Sequence, residues 1–413
     1  MKRDAKMNVN SQRLISRIKA FGTIGLDDKE RLARIAFSDA DKQGRDQLIA
    51  WMKEANLDIE IDRIGNIHGI WQPASVIHGK PIMMGSHIDT VLNAGIYDGN
   101  YGVLAGLEVI LTLQESGFIP VRPVVISAFS NEEGARYSPD MMGSLVYAGG
   151  LEVDKALETI GVDGSVLGCE LDRIGYSGAN EPGFLQPKAY IELHIEQGPV
   201  LDKLDIPIGV VEDLQGISWQ RITIEGTANH AGTTPMSMRA DAGMASAQVM
   251  VSLRDNILAK SDKMVTTIGA MQFEPNIINV IPSKAQFTVD LRSPVEDDLK
   301  DAENSLIKCL NTVAESEGVK VSIERMARFE PVIFDNKLVG IIEEVTKCRG
   351  LSSKRMTSGA GHDAQMMARI CPSAMIFVPS KDGISHNPKE YTEDEALVAG
   401  ANILLDTVSS LAI

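Results

Sequence analysis

The chain has 413 residues, of which 44% are apolar and 23% charged. These values are those of an ordinary globular protein with a core of normal size, and the length predicts two or three domains. The formal net charge of −16 argues against nucleic acid and anionic membranes as partners, because both require a clustered basic face. It does not exclude a small anionic substrate, which needs only one or two local cations.

The N-terminus and the cysteines indicate a cytoplasmic protein. Residues 1–19 contain no apolar stretch of the kind found in secretory signals, and the longest apolar segment, residues 103–113, is too short to span a bilayer. The four cysteines form no C-x-x-C pair, so we expect reduced thiols rather than disulfides.

Apolar strands alternate with a helical pattern in the first half of the chain. We predict buried strands at residues 81–86 and 123–129, a strand of alternating pattern at residues 189–194, and a helix at residues 102–114. Strands and helices that alternate in this way indicate an α/β sheet covered on both faces.

A different pattern begins near residue 216. The predicted elements are strand 221–225, helix 241–258, strands 265–273 and 285–291, helix 296–317 and strand 319–323. This β-α-β-β-α-β order is the ferredoxin-like arrangement. The α/β pattern then resumes, with a helix from about 337, a strand at 374–378 and a last helix from about 394. We therefore predict a discontinuous α/β domain, residues 1–215 and 328–413, with an inserted α+β domain, residues 216–327.

The chain has only seven histidines, and their positions locate the chemistry. His87 directly follows the first buried strand, and ligands bind at the carboxyl ends of strands in open α/β sheets. Asp89 lies two residues further on the same side of an extended segment, so it can reach the His87 ring. A carboxylate behind a metal-bound imidazole fixes the tautomer of that imidazole. By itself, H-x-D is also typical of a polar strand end.

Carboxylates stand at two further positions of this kind. Asp98 lies where the first predicted helix begins, so it is either a helix cap or a carboxylate that bridges two metal ions. Glu132 and Glu133 follow the strand at 123–129. Adjacent glutamates are usually solvated, but here an apolar run leads into them at the same sheet edge as His87. A two-metal hydrolase needs one such carboxylate as a ligand and another as a free general base.

Two more histidines complete the set. His194 ends the strand at 189–194, and His386 lies in a Gly-rich turn. A lone histidine is more often structural than a ligand, but three histidines with several carboxylates at strand ends and turns favour a metal site. Imidazole with carboxylate suits Zn, Mn or Co better than Ca or Mg. His68 and His78 match no motif, and we expect them to be structural.

Five motifs resemble the metal-site motifs of the M20 metallopeptidase-like amidohydrolases, in particular the hydantoinase/carbamoylase branch. That branch holds N-carbamoyl-L-amino-acid hydrolases, allantoate amidohydrolases and some β-ureidopropionases. The motifs are His87-Ile88-Asp89, Asp98-Gly99, Glu132-Glu133-Gly134, residues 192–198 and residues 383–386. The match covers nearly the whole chain in order, including the inserted domain. Related peptidases usually have Asp or Glu where this branch has His194, so the motif around it is the most specific element.

The resemblance implies two divalent metal ions per chain. One ion would be held by His87, Asp98 and His194. The other would be held by Asp98, Glu133 and His386. Asp89 would support His87, and Glu132 would be the general base that deprotonates the attacking water.

The resemblance also implies residues that bind substrate. His230 in the inserted domain would stabilise the oxyanion, and Asn279 and Arg292 would bind the substrate carboxylate. Without the family resemblance, we would interpret Arg292 as a solvated residue at the end of a strand. The remaining candidates are Gln197, Gly359 and His362; Gln197 and His362 are equally well interpreted as supporting residues.

The predicted reaction is hydrolysis of a ureido C–N bond next to a carboxylate, with the inserted domain acting as a lid and as the surface of a homodimer. The substrate would be an N-carbamoyl-L-amino acid, because Ile217 stands where allantoate enzymes of the branch tend to have a Gln. The alternatives are an allantoate amidohydrolase or a β-ureidopropionase. More remote ones are an M20 dipeptidase or deacylase, disfavoured by His194, and a non-catalytic binding protein, disfavoured because no metal position is lost.

Overall fold

The computed structural model describes residues 6–74, 76, 79–260 and 263–413; His78 lies outside them. The helices are α1 Ser11–Phe21, α2 Asp39–Glu54, α3 Asn100–Glu115, α4 Met142–Tyr147, α5 Val153–Leu157, α6 Leu167–Ile174, α7 Val200–Leu204, α8 Ala242–Lys260, α9 Glu296–Glu317, α10 Asn336–Cys348, α11 Asp363–Met367 and α12 Asp394–Leu411. The strands are β1 Asp58–Ile61, β2 Ile67–Trp71, β3 Ile82–His87, β4 Val124–Phe129, β5 Ala189–Ile195, β6 Ile208–Leu214, β7 Gly216–Glu225, β8 Val265–Thr267, β9 Met271–Glu274, β10 Lys284–Ser293, β11 Lys320–Phe329, β12 Val332–Ile333, β13 Ser353–Ser358 and β14 Ser373–Val378.

The chain forms two compact units, one of Met1–Glu212 with Phe334–Ile413 and one of Asp213–Ile333. The second unit extends a few residues beyond the expected insertion at both ends. The reason is local strand pairing, since β11 continues to Phe329 and β12 pairs with Asp213 and Leu214.

The sheet of the first unit has the order β1-β2-β4-β3-β5-β14-β6, and β13 also pairs with β6. At its centre, β4, β3, β5 and β14 are parallel neighbours. Every residue of these four strands is buried, as in strands that helices cover on both faces. The first unit is therefore an α/β fold, and the carboxyl ends of β3, β4 and β5 lie side by side at one edge.

Helix α3 starts at that edge and is the central helix of the first unit. Almost all of its residues are buried, and it packs against β3, β5, α1 and α12. Gly102 and Gly106 allow the close approach to the sheet, since a Cβ at Gly102 would overlap the carbonyl of Leu193 and one at Gly106 would overlap Ile126. The rigid packing of α3 fixes the position of the residues before its first turn.

His68 is fully buried in β2. Its Nδ1 lies 2.8 Å from Ser127 Oγ, and its ring packs against Tyr147 and Phe184. These contacts agree with the structural role expected of this histidine.

The second unit is an antiparallel sheet of order β11-β7-β10-β8, with β9 also paired to β10, and two helices pack on it. In β10 buried residues alternate with half-buried ones, the pattern of a strand with one covered face. Phe287 and Leu291 from this strand join Leu299 and Leu306 of α9 in the core of the unit.

The prediction of a single strand at residues 265–273 is wrong, because this segment forms two separate strands, β8 and β9. Thr267 stands opposite Asp290, and Met271 stands opposite Phe287. From Thr267 to Met271 the chain advances four residues, whereas from Asp290 to Phe287 β10 advances only three. The one extra residue forms a β-bulge around Gly269.

Among the described residues, no helix combines the length and apolar character needed to cross a membrane.

Candidate metal centre

Three donor residues meet where β3 and β5 end and α3 begins. The Nε2 atoms of His87 and His194 lie 3.5 Å and 3.2 Å from Oδ1 of Asp98. All three side chains are buried. Gly99, between Asp98 and the helix, has φ 64°, and a Cβ at this position would overlap the His87 ring. Only glycine therefore allows the backbone to pass this close to His87.

The second oxygen of Asp98 faces a different set of donors. His386 Nε2 lies 3.3 Å from Asp98 Oδ2 and 3.4 Å from Glu133 Oε2. Asp98 thus presents one oxygen to each of two donor groups, which is the geometry of a bridging carboxylate.

The distances between donors fit metal coordination. Two ligand atoms about 2.05 Å from a tetrahedral ion are about 3.3 Å apart, close to the separations found around Asp98. The ligand atoms of His87, Asp98 and His194 lie within 4.8 Å of one another, as do those of Asp98, Glu133 and His386. Oε1 of Glu133 is buried without a hydrogen-bond partner, which suits an oxygen that serves as a metal ligand.

A third group of potential donors, Glu192, His194 and His362, is less suited to a metal ion. Oε1 of Glu192 accepts a hydrogen bond from Ser86 Oγ at 2.7 Å, and Oε2 accepts one from the Ala364 amide at 2.7 Å. This glutamate is therefore already engaged in holding β3, β5 and the start of α11 together.

Hydrogen bonds determine which nitrogen of each histidine faces the donors. Nδ1 of His87 lies 3.0 Å from the Asp89 carbonyl, and Nδ1 of His194 lies 2.8 Å from the Ile195 carbonyl. A carbonyl only accepts, so Nδ1 carries the proton and the Nε2 lone pair faces Asp98. The Gly99 amide, 3.1 Å from His194 Nε2, requires the same tautomer.

Asp89 contacts the His87 ring through its backbone. The ring of His87 is oriented by the carbonyl of Asp89, not by its side chain. The carboxylate instead accepts hydrogen bonds from the amides of Glu132 at 3.1 Å and Glu133 at 3.2 Å. The turn after His87 directs the side chain to the neighbouring strand end, so Asp89 positions the Glu132–Glu133 loop.

Burial and mutual contact shift the acidities of the centre. Burial raises the pKa of Glu132 well above its usual range and that of Glu133 to about 8. Burial also raises the pKa of Asp98, but the neighbouring rings of His194, His386 and His87 hold it well below the usual value. Carboxylates buried this close together need cations or protons to neutralise them.

Gln197 and His362 lie beside the donors. Gln197 Nε2 donates to Asp98 Oδ2 at 2.8 Å, while its buried Oε1 has no hydrogen-bond partner. The ring centroid of His362 is 4.5 Å from that of His194, and its buried Nε2 is also unpartnered. A Cβ at Gly359 would meet nothing within 4 Å, so the space beside its backbone is open.

The remaining candidates belong to the second unit. His230 and Asn279 are exposed and lie on paired segments, because the Ala231 amide donates to the Asn279 carbonyl at 3.0 Å. Arg292 is half-buried on β10, where its Nη2 pairs with Asp290 Oδ2 at 3.0 Å. It stands directly opposite Ile217 of β7.

Two residues at the centre were given no role from the sequence. Ser385 Oγ lies 2.8 Å from Glu390 Oε2 and 3.3 Å from Asp98 Oδ2. Glu390 is buried and accepts a hydrogen bond from the Asp98 amide at 3.2 Å. Glu390 follows a proline and a lysine in an irregular segment, and no periodicity indicates that its side chain turns inward.

Known proteins resemble this chain over nearly its whole length. The model of peptidase family M20/M25/M40 matches residues 83–410. An N-carbamoyl-L-amino-acid amidohydrolase of Rhizobium meliloti is 37% identical over 400 residues, 97% of this chain and 96% of its own. An allantoate amidohydrolase of Bacillus subtilis (strain 168) is 34% identical over 363 residues, 87% of this chain and 88% of its own. A hydantoinase/carbamoylase family amidase from Burkholderia multivorans has a TM-score of 0.94 and 38% identity, with 98% of each chain covered.

Proposed function

Because the chain belongs to peptidase family M20/M25/M40, as an amidohydrolase acting on C–N bonds other than peptide bonds, we propose that it hydrolyses N-carbamoyl-L-amino acids. The products would be the L-amino acid, CO2 and NH3. The observation that carries the hydrolytic part is the position of Asp98, whose two oxygens face separate donor groups beside the buried Glu132.

We propose that two divalent ions, Zn, Mn or Co, occupy these donor groups. His87, Asp98 and His194 would hold the first ion, and Asp98, Glu133 and His386 the second. When bound, such ions polarise a carbonyl oxygen and make water acidic enough to react at neutral pH.

The protein side chains supply the proton transfers. Glu132 Oε2 lies 3.4 Å from His87 Nε2, beside the donors but outside both groups, so we assign it as the general base. Its carboxylate would take the proton of the attacking water and deliver it to the leaving nitrogen. The raised pKa that burial gives Glu132 favours retention of that proton until the nitrogen departs. Gln197 Oε1 would accept a hydrogen bond from the carbamoyl N–H groups.

We interpret the second unit as a ferredoxin-like lid and dimerisation domain. His230 would stabilise the oxyanion of the tetrahedral intermediate, and Asn279 and Arg292 would bind the substrate carboxylate. Ile217 is buried and directly faces Arg292 across the β7–β10 pair. A substrate held by Arg292 would therefore meet an apolar neighbour rather than a hydrogen-bonding one.

The identity of the substrate is tested by comparing kcat/KM for N-carbamoyl-L-methionine and allantoate, with ammonia release as the readout. We expect N-carbamoyl-L-methionine to be preferred by roughly 5- to 150-fold, because a buried ureido group left unpaired beside Ile217 costs about 1–3 kcal/mol. Ile217→Gln should reduce this preference, and Ile217→Val, which keeps an apolar side chain, should retain it. A clear preference of the parent for allantoate would overturn the assignment of the substrate but not that of the metal centre.

Hydrolysis of allantoate is the second candidate function, and the relative from Bacillus subtilis supports it. β-Ureidopropionate is a third ureido acid of the same chemical type. Measuring ammonia from all three substrates with one preparation separates these activities. A protein that releases ammonia from none of them, yet cleaves dipeptides or acyl-amino acids, would be a peptidase or deacylase instead.

We further propose that the protein is a homodimer through its second unit. Strand β11 lies at an edge of that sheet, and an edge can pair with its two-fold mate. His230 would then act at the centre of the partner chain. Mixing a His230→Ala chain with a Glu132→Gln chain should restore part of the parental activity, because a mixed dimer contains one complete site. No recovery after subunit exchange is demonstrated with differently tagged chains would contradict a shared site.

A further inference from the structure

His386 is held differently from the other two histidines of the centre. His87 and His194 end buried strands, and a carbonyl binds the Nδ1 of each. His386 lies on a loop, its side chain is 51% exposed, and its backbone is left-handed with φ 52°. A non-glycine residue in this conformation persists only when its surroundings hold it there. The loop must therefore be held by contacts other than those of a strand.

Glu390 supplies such contacts from four residues further along the loop. Its Oε1 accepts hydrogen bonds from the amides of Tyr97 at 3.1 Å and Asp98 at 3.2 Å. Its Oε2 accepts one from Ser385 Oγ at 2.8 Å. One carboxylate thus joins the backbone of Asp98 to the residue immediately before His386.

The rest of the loop keeps Glu390 in this position. Its own amide donates to the Asn387 carbonyl at 2.9 Å, which closes a turn directly after His386. Gly95 packs against Glu390 so tightly that a Cβ at Gly95 would overlap both Cβ and Oε1 of the glutamate. Glu390 is only 5% exposed, so water cannot readily replace these contacts.

We infer that Glu390 is a positioning residue that sets the distance between Asp98 and His386, and thereby the affinity of the centre for the second of its two metal ions. This inference rests on the proposed function, since it assumes that Asp98, Glu133 and His386 bind an ion. Glu390 touches neither substrate nor metal in this role. It acts by tying two ligand-bearing segments together, and such supporting contacts typically contribute about 10- to 100-fold in metal affinity.

The test is a titration of the metal-free full-length protein with Co2+. Binding is measured by calorimetry and by the visible absorption of the bound cobalt. The parent should bind two equivalents. Glu390→Ala should bind the first equivalent like the parent and the second about 10- to 100-fold more weakly. Glu390→Gln should fall between the two, because an amide oxygen still accepts from the two backbone amides while the charge is lost.

Glu303→Ala is the matched control. Glu303 is 8% exposed and accepts hydrogen bonds from Ser218 Oγ at 2.6 Å and Arg328 Nε at 3.0 Å in the second unit. Its loss should lower the melting temperature without weakening the binding of Co2+, which separates general destabilisation from an effect on the centre.

Gly95→Ala provides an independent variant in which Glu390 is displaced rather than removed. It should show the same selective loss of the second equivalent, and it carries the test if Glu390→Ala does not fold. Binding of both equivalents with parental affinity in the folded variants would overturn the inference, as would equal weakening of both. A parent that binds no Co2+ would instead refute the metal centre itself, and the inference with it.

Discussion

Replacing Glu132 by Gln is expected to lower the rate of hydrolysis by roughly 10²–10⁴-fold or more while both metal ions remain bound. The exchange is nearly isosteric and removes only the basic oxygen. Glu132 belongs to neither donor group around Asp98, so its loss should leave the affinity for metal unchanged. Its backbone amide, which donates to the Asp89 carboxylate, is also unaffected.

The measurement is kcat on N-carbamoyl-L-methionine together with the metal content of the same sample. Glu115→Gln is a suitable control, because Glu115 is the last residue of α3, whose first residue lies beside the metal centre, and its side chain is 56% exposed. The control should turn over like the parent. If Glu132→Gln also turns over like the parent, another group must be the base.

Removal of metal should abolish turnover, and Zn, Mn or Co should restore it. Without cations the centre retains a buried cluster of carboxylates and histidines but nothing that polarises the substrate carbonyl. Activity is to be measured after chelation, after dialysis and after addition of each metal, with the metal content determined at each step. Full activity in protein shown to be metal-free would exclude the proposed mechanism.

Asp98→Ala should have the largest effect among the ligand variants. Asp98 faces both donor groups, so its loss should weaken the binding of both ions. The loss of affinity should exceed the roughly 10- to 100-fold that is typical when a residue supporting a ligand is removed. His386→Ala is the comparison, since it should weaken only the second ion. Retention of two tightly bound ions by Asp98→Ala would show that this carboxylate does not bridge.

The central secondary structure follows from local sequence pattern. Continuous apolar runs placed β3 and β4, and an alternating pattern placed β5, within one residue of their observed ends. The helix expected at 296–317 has those bounds. A run of apolar residues can be buried on both faces only inside a covered sheet, so local composition determines such elements. The exception is the strand expected at 265–273, where the pattern continues but the register with β10 gains a bulge.

The amino-acid sequence by itself also determined which residue types stand at the sheet edge. His87, Asp98, Glu133 and His194 are recognisable because each follows a strand or begins a helix, and ligand type and chain order are local properties. That is why the family and the class of reaction could be predicted from motifs. His386 lies in a Gly-rich turn instead, and it was a candidate because it joins the other histidines and carboxylates of the set.

Only the tertiary structure decided how these residues contact each other. In the fold, each oxygen of Asp98 faces one donor group. The Asp89 carboxylate accepts hydrogen bonds from the amides of Glu132 and Glu133. The Glu390 side chain accepts one from the Asp98 amide. Glu390 and Asp98 are almost three hundred positions apart in the chain. Contacts of this kind depend on how separate segments pack and on the hydrogen bonds that buried polar groups must complete, and neither is encoded in a local pattern.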